Sequence, residues 1–247
     1  MFVVASSQCF WDLEPAQIYD RVQETGFDKI ELWLDAERSP FDPAEIAADP
    51  EGFANRFREA TRLTPIAFQL GHDVSAETIA GLGKVAKHLK FATIAVPASP
   101  NGTPFNEEID RLRGFTAATA ADGIRVTLMT KVGDLSEDPD TVRSLVESAA
   151  GLGVTLDPTF AVTGPFRKLG YESLVPYTHH VHLRDSSPDA VQVPVGLGEV
   201  DYAKLINKLE RAGKRVPLTI DLLPDDSSLE TRLLEVRKLR MLLETLL

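Results

Sequence analysis

The chain has 247 residues, of which 43% are apolar and 26% are charged, which is enough for one large α/β domain with a sizeable core. Its formal net charge of −11 argues against nucleic-acid partners, because binding to phosphates depends on clustered lysine and arginine. We find no signal-peptide pattern and no apolar run of about 18 residues, and therefore expect a cytoplasmic protein without a membrane partner. A single cysteine, Cys9, excludes an intramolecular disulfide and a thiolate zinc cluster.

Eight short runs of β-branched and apolar residues predict eight strands, and a segment with helical spacing follows most of them. The runs are FVVAS (2–6), KIELWL (29–34), PIAFQL (65–70), FATIAVP (91–97), IRVTLM (124–129), GVTLD (153–157), HVHL (180–183) and PLTIDLL (217–223). Gly26 and Gly213 stand where helices should end, as left-handed terminating residues. Asp138 and Asp201 stand where helices should begin, as N-caps.

Alternation of strand and helix at about 30 residues per unit predicts a single (β/α)8 TIM barrel domain over residues 1–247. A doubly wound open sheet is the alternative. That fold usually carries a glycine-rich fingerprint after its first strand, and here the segment SSQCFWDLEP contains no glycine. We expect the stretch 35–50, DAERSPFDPAEIAADP, to be the longest irregular loop, at the rim of the barrel.

Polar residues at the carboxyl ends of the predicted strands are the candidate functional residues, since TIM barrels carry their chemistry there. They include Glu31, His72, Lys131, Asp157, His180, His182, Arg184, Asp185 and Asp221. His180 and His182 share one strand face, because side chains alternate along a strand. An imidazole with two carboxylates from neighbouring strands suits a divalent cation such as Mn²⁺, Co²⁺, Zn²⁺ or Mg²⁺. Asp157, His182 and Asp221 offer that set.

Each candidate also has a purely structural interpretation. A strand-end histidine is more often a hydrogen-bonded core residue than a metal ligand, and Asp221 could cap the last helix. Glu31 could be a buried carboxylate paired with a lysine or arginine, and Lys131 could be a solvated or salt-bridged side chain. The convergence of Asp157, His182 and Asp221 on adjacent strands favours the metal site.

Five segments together resemble one known family. GFDKIELW, GVTLDPTF, HVHLRDSS, VGLGEVDYAKLINKLERAG and VPLTID, in this order, resemble the xylose-isomerase-like TIM barrels that include sugar phosphate isomerases and epimerases. The resemblance implies one divalent metal at the barrel mouth, held by a glutamate, an aspartate, a histidine and a glutamate of strands five to eight. It also implies that the metal polarises a sugar carbonyl while the two glutamates move a proton on and off the adjacent carbon.

Two ligand positions of that family are kept here and three positions depart from it. Asp157 and His182 match the ligands of strands six and seven, and Asp221 stands where a glutamate is usual, with about 1.5 Å less reach. Met129 stands at the strand-five glutamate, and a thioether is neither a base nor a good ligand for a hard cation. Phe160 replaces a histidine of the strand-six turn. The resemblance therefore implies a metal site that is weakened or lost.

Two functional hypotheses follow from the resemblance and its departures. The first is an isomerase or epimerase of a sugar, sugar phosphate or polyol, with a weakened metal at Asp157, His182 and Asp221. In it, Asp221 and Lys131 are the catalytic residues. Substrate contacts are expected from His72, Arg184, Asp185 and Glu31. The second hypothesis is a non-catalytic barrel that binds a sugar or a partner protein.

The apolar last segment of the chain is the part of the sequence that bears on whether the protein forms a homodimer. The segment LRMLLETLL has leucines and a methionine on more than one helical stripe. One interpretation is that this helix closes the barrel against the first helix. The other is that one of its faces packs on a second subunit in a homodimer.

Overall fold

The computed structural model describes residues 1–247, and its eight strands form one closed parallel barrel in chain order. The strands are β1 (Phe2–Ser6), β2 (Lys29–Leu34), β3 (Thr64–Leu70), β4 (Thr93–Val96), β5 (Arg125–Met129), β6 (Gly153–Leu156), β7 (Thr178–Leu183) and β8 (Pro217–Ile220). β8 pairs with β1, from Phe2 opposite Pro217 to Ala5 opposite Ile220, so the sheet has no free edge. The predicted (β/α)8 TIM barrel is confirmed.

Helices connect most of the successive strands. They are α1 (Pro15–Glu24), α2 (Pro43–Ala48), α3 (Pro50–Ala60), α4 (Ala76–Leu89), α5 (Phe105–Ala120), α6 (Pro139–Ser148), α7 (Tyr202–Arg211) and α8 (Leu229–Glu244). The link from β6 to β7 contains only short 3-10 helices, at Pro158–Ala161 and Glu172–Tyr177. None of the helices combines the length and the hydropathy that crossing a membrane requires.

The helix boundaries follow the capping residues that the sequence indicated. The side chain of Asp138 accepts backbone hydrogen bonds in the first turn of α6, and that of Asp201 does so in α7. Gly26 and Gly213 follow α1 and α7 with φ of 88° and 69°, in the left-handed region that glycine enters without steric cost. These four predictions are confirmed.

The stretch 35–50 is not the irregular loop that we expected, because two aspartate-proline pairs begin helices in it. Asp42 accepts hydrogen bonds from two backbone N–H groups in the first turn of α2. Asp49 accepts one from Gly52 in the first turn of α3. Each aspartate is followed by a proline in the first helical position, where a missing N–H costs nothing. These short-range capping signals outweighed the weak apolar periodicity of the segment.

The apolar core lies between the barrel and its helices, whereas a layer inside the barrel is polar. Fifty-nine buried apolar residues form one continuous cluster. Inside the barrel, the hydroxyl oxygens of Thr127 and Thr155 lie 2.7 Å apart, and His180 Nε2 lies 2.8 Å from Thr219 Oγ1. All four side chains are fully buried. Burial of the three hydroxyl groups and of His180 Nε2 is tolerated because each finds a hydrogen-bond partner, whereas His180 Nδ1 has none.

The last helix, α8, buries one face and exposes another. Leu233 and Val236 are buried, and the helix contacts β1 and β8, as expected of an element that closes the barrel. Leu234 and Met241 are exposed by 51% and 69%. The interpretation that this helix closes the barrel agrees with these contacts and with the hydrogen bond that Arg237 donates to Glu24 of α1. The homodimer stays a prediction.

Candidate active site

A cavity of about 300 Å³ opens at the carboxyl ends of the strands, the end at which TIM-barrel enzymes carry their chemistry. The polar residues that line it include Gln8, Gln69, Asp157, His182, Arg184 and Asp221. Trp33, Met129 and Phe160 form an apolar wall beside them. A small pocket with an apolar wall and a few convergent polar groups is the usual form of a small-molecule site.

Arg184 lies between two carboxylates of this cavity. Its Nη1 donates to Oδ2 of Asp157, its Nη2 donates to Oδ2 of Asp221 at 2.8 Å, and its Nε donates to the backbone oxygen of Asp221 at 2.9 Å. Burial alone would lower the pKa of Arg184, but the charges of Asp157 and Asp221 raise it above its ordinary value. We expected Arg184 at the rim as a substrate contact. Its side chain is buried and not at the rim, because two strand-end carboxylates bind its guanidinium, but it lines the cavity, and the substrate contact stays a prediction.

Asp221 has one occupied and one unoccupied carboxylate oxygen. Its Oδ2 accepts hydrogen bonds from Arg184 and, at 3.2 Å, from Gln69 Nε2, and it lies 3.5 Å from His182 Nδ1. Its Oδ1 is buried and has no hydrogen-bond partner. An unpaired buried acceptor costs free energy. A bound small molecule that donates a hydrogen bond to Oδ1 would therefore gain binding free energy. The interpretation of Asp221 as a helix cap is wrong, because Ser228 caps α8.

Glu31 is joined to both inward-facing histidines of β7. His180 Nε2 lies 3.0 Å from Glu31 Oε2, and His182 Nε2 lies 3.0 Å from Glu31 Oε1. Burial opposes ionisation of Glu31, yet the charges of His180 and His182 hold its pKa well below the usual range. Burial also opposes protonation of His182, but Glu31 and Asp221 raise its pKa to about 9. Glu31 and His182 therefore form an ion pair at neutral pH, and no lysine or arginine is involved.

The set Asp157, His182 and Asp221 does not fit a divalent cation. Oδ2 of each carboxylate accepts a hydrogen bond from Arg184, whose charge would repel a second cation at the same place. His182 directs Nε2 toward Glu31. Binding to this nitrogen would require the ion to replace the proton on His182, a condition that any site using this imidazole shares.

A second set of donor groups lies deeper in the barrel. The ligand atoms of Glu31, His180 and His182 all lie within 4.8 Å of one another, and the three side chains are buried. This group could hold a metal ion. Glu31 favours the protonated form of His182, so a bound ion would have to displace that proton.

Two candidates from the sequence lie farther out. Lys131 borders the cavity with a side chain that is 60% exposed, and its Nζ lies 3.3 Å from Oδ2 of Asp134. His72 does not line the cavity, because its Nδ1 lies 3.1 Å from the buried carboxylate of Asp35. Lys131 is thus near enough to reach a ligand, whereas His72 is held away from it.

Asp185 organises the loop after β7. Its Oδ2 accepts hydrogen bonds from the backbone N–H of Gly196 at 2.8 Å and of Gly198 at 3.0 Å. A Cβ at position 198 would stand 2.0 Å from Oδ1 of Asp185, so the close approach requires glycine. Val191 of the same loop lines the cavity. We expected Asp185 to contact substrate directly, but its carboxylate binds backbone instead.

Gln69 is a cavity residue that the sequence analysis missed. Its Nε2 donates to Asp221 and to Gln8 Oε1 at 3.3 Å, and its Oε1 accepts from Ser6 Oγ at 3.3 Å. It thereby positions the Asp221 carboxylate. The available signal was a single amide in the otherwise apolar strand PIAFQL.

No family model matches the sequence, and no curated protein matches it either. Solved structures do match along the whole chain. A xylose isomerase-like TIM barrel protein from Mycobacterium smegmatis, in complex with magnesium, is 16% identical with a TM-score of 0.75, over 99% of this chain and 97% of that one. The chain has the xylose isomerase-like TIM barrel fold.

Other barrels of this fold match equally well. The 3-keto-D-glucoside 4-epimerase from E. coli is 15% identical with a TM-score of 0.72, over 98% of this chain and 99% of that one. The IOLI protein with a bound zinc atom is 14% identical with a TM-score of 0.74, over 100% and 99% of the two chains. At such identities the xylose isomerase-like barrels share a scaffold with this chain, and activity must be argued from its own residues.

Proposed function

We propose that the chain is a proton-transferring enzyme of the isomerase or epimerase class that acts on a sugar, free or phosphorylated, in the cavity at the barrel mouth. The observation that carries the proposal is Asp221, a fully buried carboxylate that lines the cavity with one oxygen unpaired. The naming of a structural neighbour as a sugar epimerase supports this class of reaction.

The cavity suits a small polyhydroxylated ligand. Its polar side chains offer donors and acceptors to hydroxyl groups, and Trp33 offers an apolar face to the C–H groups of a sugar ring or chain. Both kinds of contact are needed, because a sugar carries hydroxyls and C–H groups in alternation.

In the proposed reaction, Asp221 Oδ1 takes a proton from the carbon next to the substrate carbonyl. The C–H electron pair forms the new carbon-carbon double bond, and the carbonyl electrons move onto oxygen to give an enolate. The guanidinium of Arg184 and the imidazolium of His182, both of which line the cavity, stabilise the negative charge. The hydroxyl group on the deprotonated carbon passes its proton to the former carbonyl oxygen and becomes the new carbonyl, and return of the carbon-bound proton to the former carbonyl carbon completes an isomerisation.

Lys131 is the proposed acid, and Asp221 is the base. It follows β5 and Asp221 follows β8, and these strands stand three positions apart around the barrel. The two groups therefore approach the cavity from different sides. A proton delivered by the Lys131 ammonium to the opposite face of the enolate would invert the carbon, which is an epimerisation.

A divalent cation such as Mn²⁺, Co²⁺, Zn²⁺ or Mg²⁺ would be held by Glu31, His180 and His182. There it would supply positive charge beneath the cavity in place of the proton on His182. The chain's own residues still bind the substrate and move the proton, since Asp221 and Lys131 lie at the mouth.

The test is exchange of a carbon-bound hydrogen with D₂O, followed by proton NMR, over a panel of ketoses and aldoses with and without phosphate. We expect exchange with at least one sugar, and at least a ~100-fold slower rate in Asp221→Asn. Glu59→Gln, at an exposed carboxylate of α3, is the matched control and should not change the rate.

A sugar-binding barrel without turnover is the second candidate, and Met129 in the cavity wall favours it because a thioether cannot act as a base. Calorimetric binding of a sugar with no exchange in the wild-type protein would favour this second candidate over the enzyme.

A further inference from the structure

We propose that the guanidinium of Arg184 takes the place of a divalent cation between Asp157 and Asp221, so that the cation of this cavity is part of the chain. The inference rests on the proposed function for the location of the site. Its test measures metal binding and not turnover, so the two proposals can fail separately.

The first argument is the position of the charge. Arg184 contacts Oδ2 of both carboxylates, which are the atoms that a cation shared by Asp157 and Asp221 would need. Its side chain is only 7% exposed, and its Nε is fixed by the backbone oxygen of Asp221. Arg184 donates three hydrogen bonds from a buried guanidinium, which fixes its position and distinguishes it from a surface ion pair.

The second argument is the balance of charge around the cavity. Met129 lines the wall and brings no negative charge, so Asp157 and Asp221 are the carboxylates that border the cavity. The guanidinium of Arg184 is bound to both of them, and Arg38 and Lys131 bring further positive charge to the lining. A divalent cation added to this set would be repelled by the guanidinium and would find only one unpaired carboxylate oxygen, Oδ1 of Asp221.

The third argument is what the guanidinium can still do. Arginine carries five N–H groups, of which Arg184 directs one each from Nε, Nη1 and Nη2 at the two aspartates. Two N–H groups are left over on a side chain that lines the cavity. They form a pair of donors for the oxygens of an enolate or its parent hydroxy-carbonyl compound, the role that a metal would otherwise perform by direct bonding.

The experiment is calorimetric titration with Mn²⁺ and Co²⁺ of the wild type, Arg184→Ala, Arg184→Lys and Asp157→Asn. The variant Met129→Glu/Arg184→Ala, which adds a carboxylate to the wall, is included with circular dichroism of every variant. We expect no Asp157-dependent binding in the wild type. Arg184→Ala should bind at least about tenfold tighter than wild type, and the double variant tighter still, because two carboxylates are uncovered and a third is added.

Arg184→Lys is the matched control, since it keeps the charge and should gain no metal site. Stoichiometric binding by the wild type that disappears in Asp157→Asn would overturn the proposal, even if no Arg184 variant folded. A folded Arg184→Ala and a folded double variant that both bind no metal would also overturn it. Wild-type binding that survives Asp157→Asn places the ion elsewhere in the barrel and agrees with the proposal.

Discussion

The carboxylate of Glu31 on β2 meets the imidazole of His182 on β7 across the interior of the barrel, with 3.0 Å between Oε1 and Nε2. These strands stand three positions apart in the closed sheet, so the contact cannot be a pairing of neighbouring strands. His180 contacts the same carboxylate from below, within the polar layer of the barrel. The group joins opposite sides of the barrel directly beneath the proposed site.

Glu31→Gln should therefore destabilise the protein strongly. The change keeps the shape of the side chain but removes the charge that faces two buried histidines, and breaking a buried pair typically costs about 3 to 5 kcal/mol. The measurement is the free energy of unfolding in urea, with Glu59→Gln at an exposed position as the control. A loss below about 1 kcal/mol would contradict a buried ion pair here.

Stability should fall as the pH rises from about 6.5 to 9. The folded protein raises the pKa of His182 from 6.5 to about 9, so its contribution is complete below 6.5 and is lost as the pH passes 9. The loss should be on the order of 3 kcal/mol, measured by urea unfolding across this range. In His182→Gln the slope should largely disappear, and an unchanged slope would refute the assignment. The depressed pKa of Glu31 acts in the opposite direction, with stability lost as the pH falls below 4.5.

The single thiol should be unreactive in the native protein. Cys9 is 1% exposed, its Sγ lies 3.4 Å from Ile220 O and from Leu222 N, and burial raises its pKa to about 12. Since the thiolate is the reactive form, a disulfide reagent at about pH 8 should modify Cys9 at least ~1000-fold more slowly in buffer than in urea. Cys9→Ser controls for other reactions of the reagent. Rapid modification without urea would show that the β1 to β8 seam opens.

Asp185→Asn should loosen the loop after β7. The carboxylate binds the N–H groups of Gly196 and Gly198, and an amide would accept them more weakly. We expect faster proteolysis within residues 187–197, measured by mass spectrometry, and a higher KM with little change in kcat. Asp189→Asn, at an exposed carboxylate of the same loop, is the control. Equal cleavage of the two variants would argue against this role of Asp185.

Local sequence patterns predicted most of the barrel, because strands and helix ends depend on near neighbours. The run KIELWL coincides with β2, and the Asp138 cap begins α6. The run PLTIDLL extends past β8, which ends at Ile220, because Leu222 is buried beyond the strand and looks like strand sequence. Periodicity does not distinguish an apolar residue in a strand from one in a buried loop.

The partners of the site residues could be predicted only in part. Side-chain alternation correctly places His180 and His182 on one face, but nothing local to β7 indicates that Glu31 lies opposite. Arg184 likewise finds Asp157 and Asp221 only because the ends of β6, β7 and β8 converge in space. Contacts between distant parts of the chain depend on the closed barrel, and local propensity does not encode them.

Two separate sets of residues stabilise the fold and form the cavity. The first is the apolar shell between sheet and helices, and the second is the polar interior of the barrel. Packing between sheet and helices holds the architecture, while the groups inside the barrel need only find complementary partners. Residues at the mouth, such as Met129, can therefore change without loss of the scaffold. This separation accounts for a backbone that superposes on a magnesium-bound barrel with a TM-score of 0.75 at 16% identity, although its own cavity contains a bridging arginine. The architecture and the residues of the cavity can therefore vary independently.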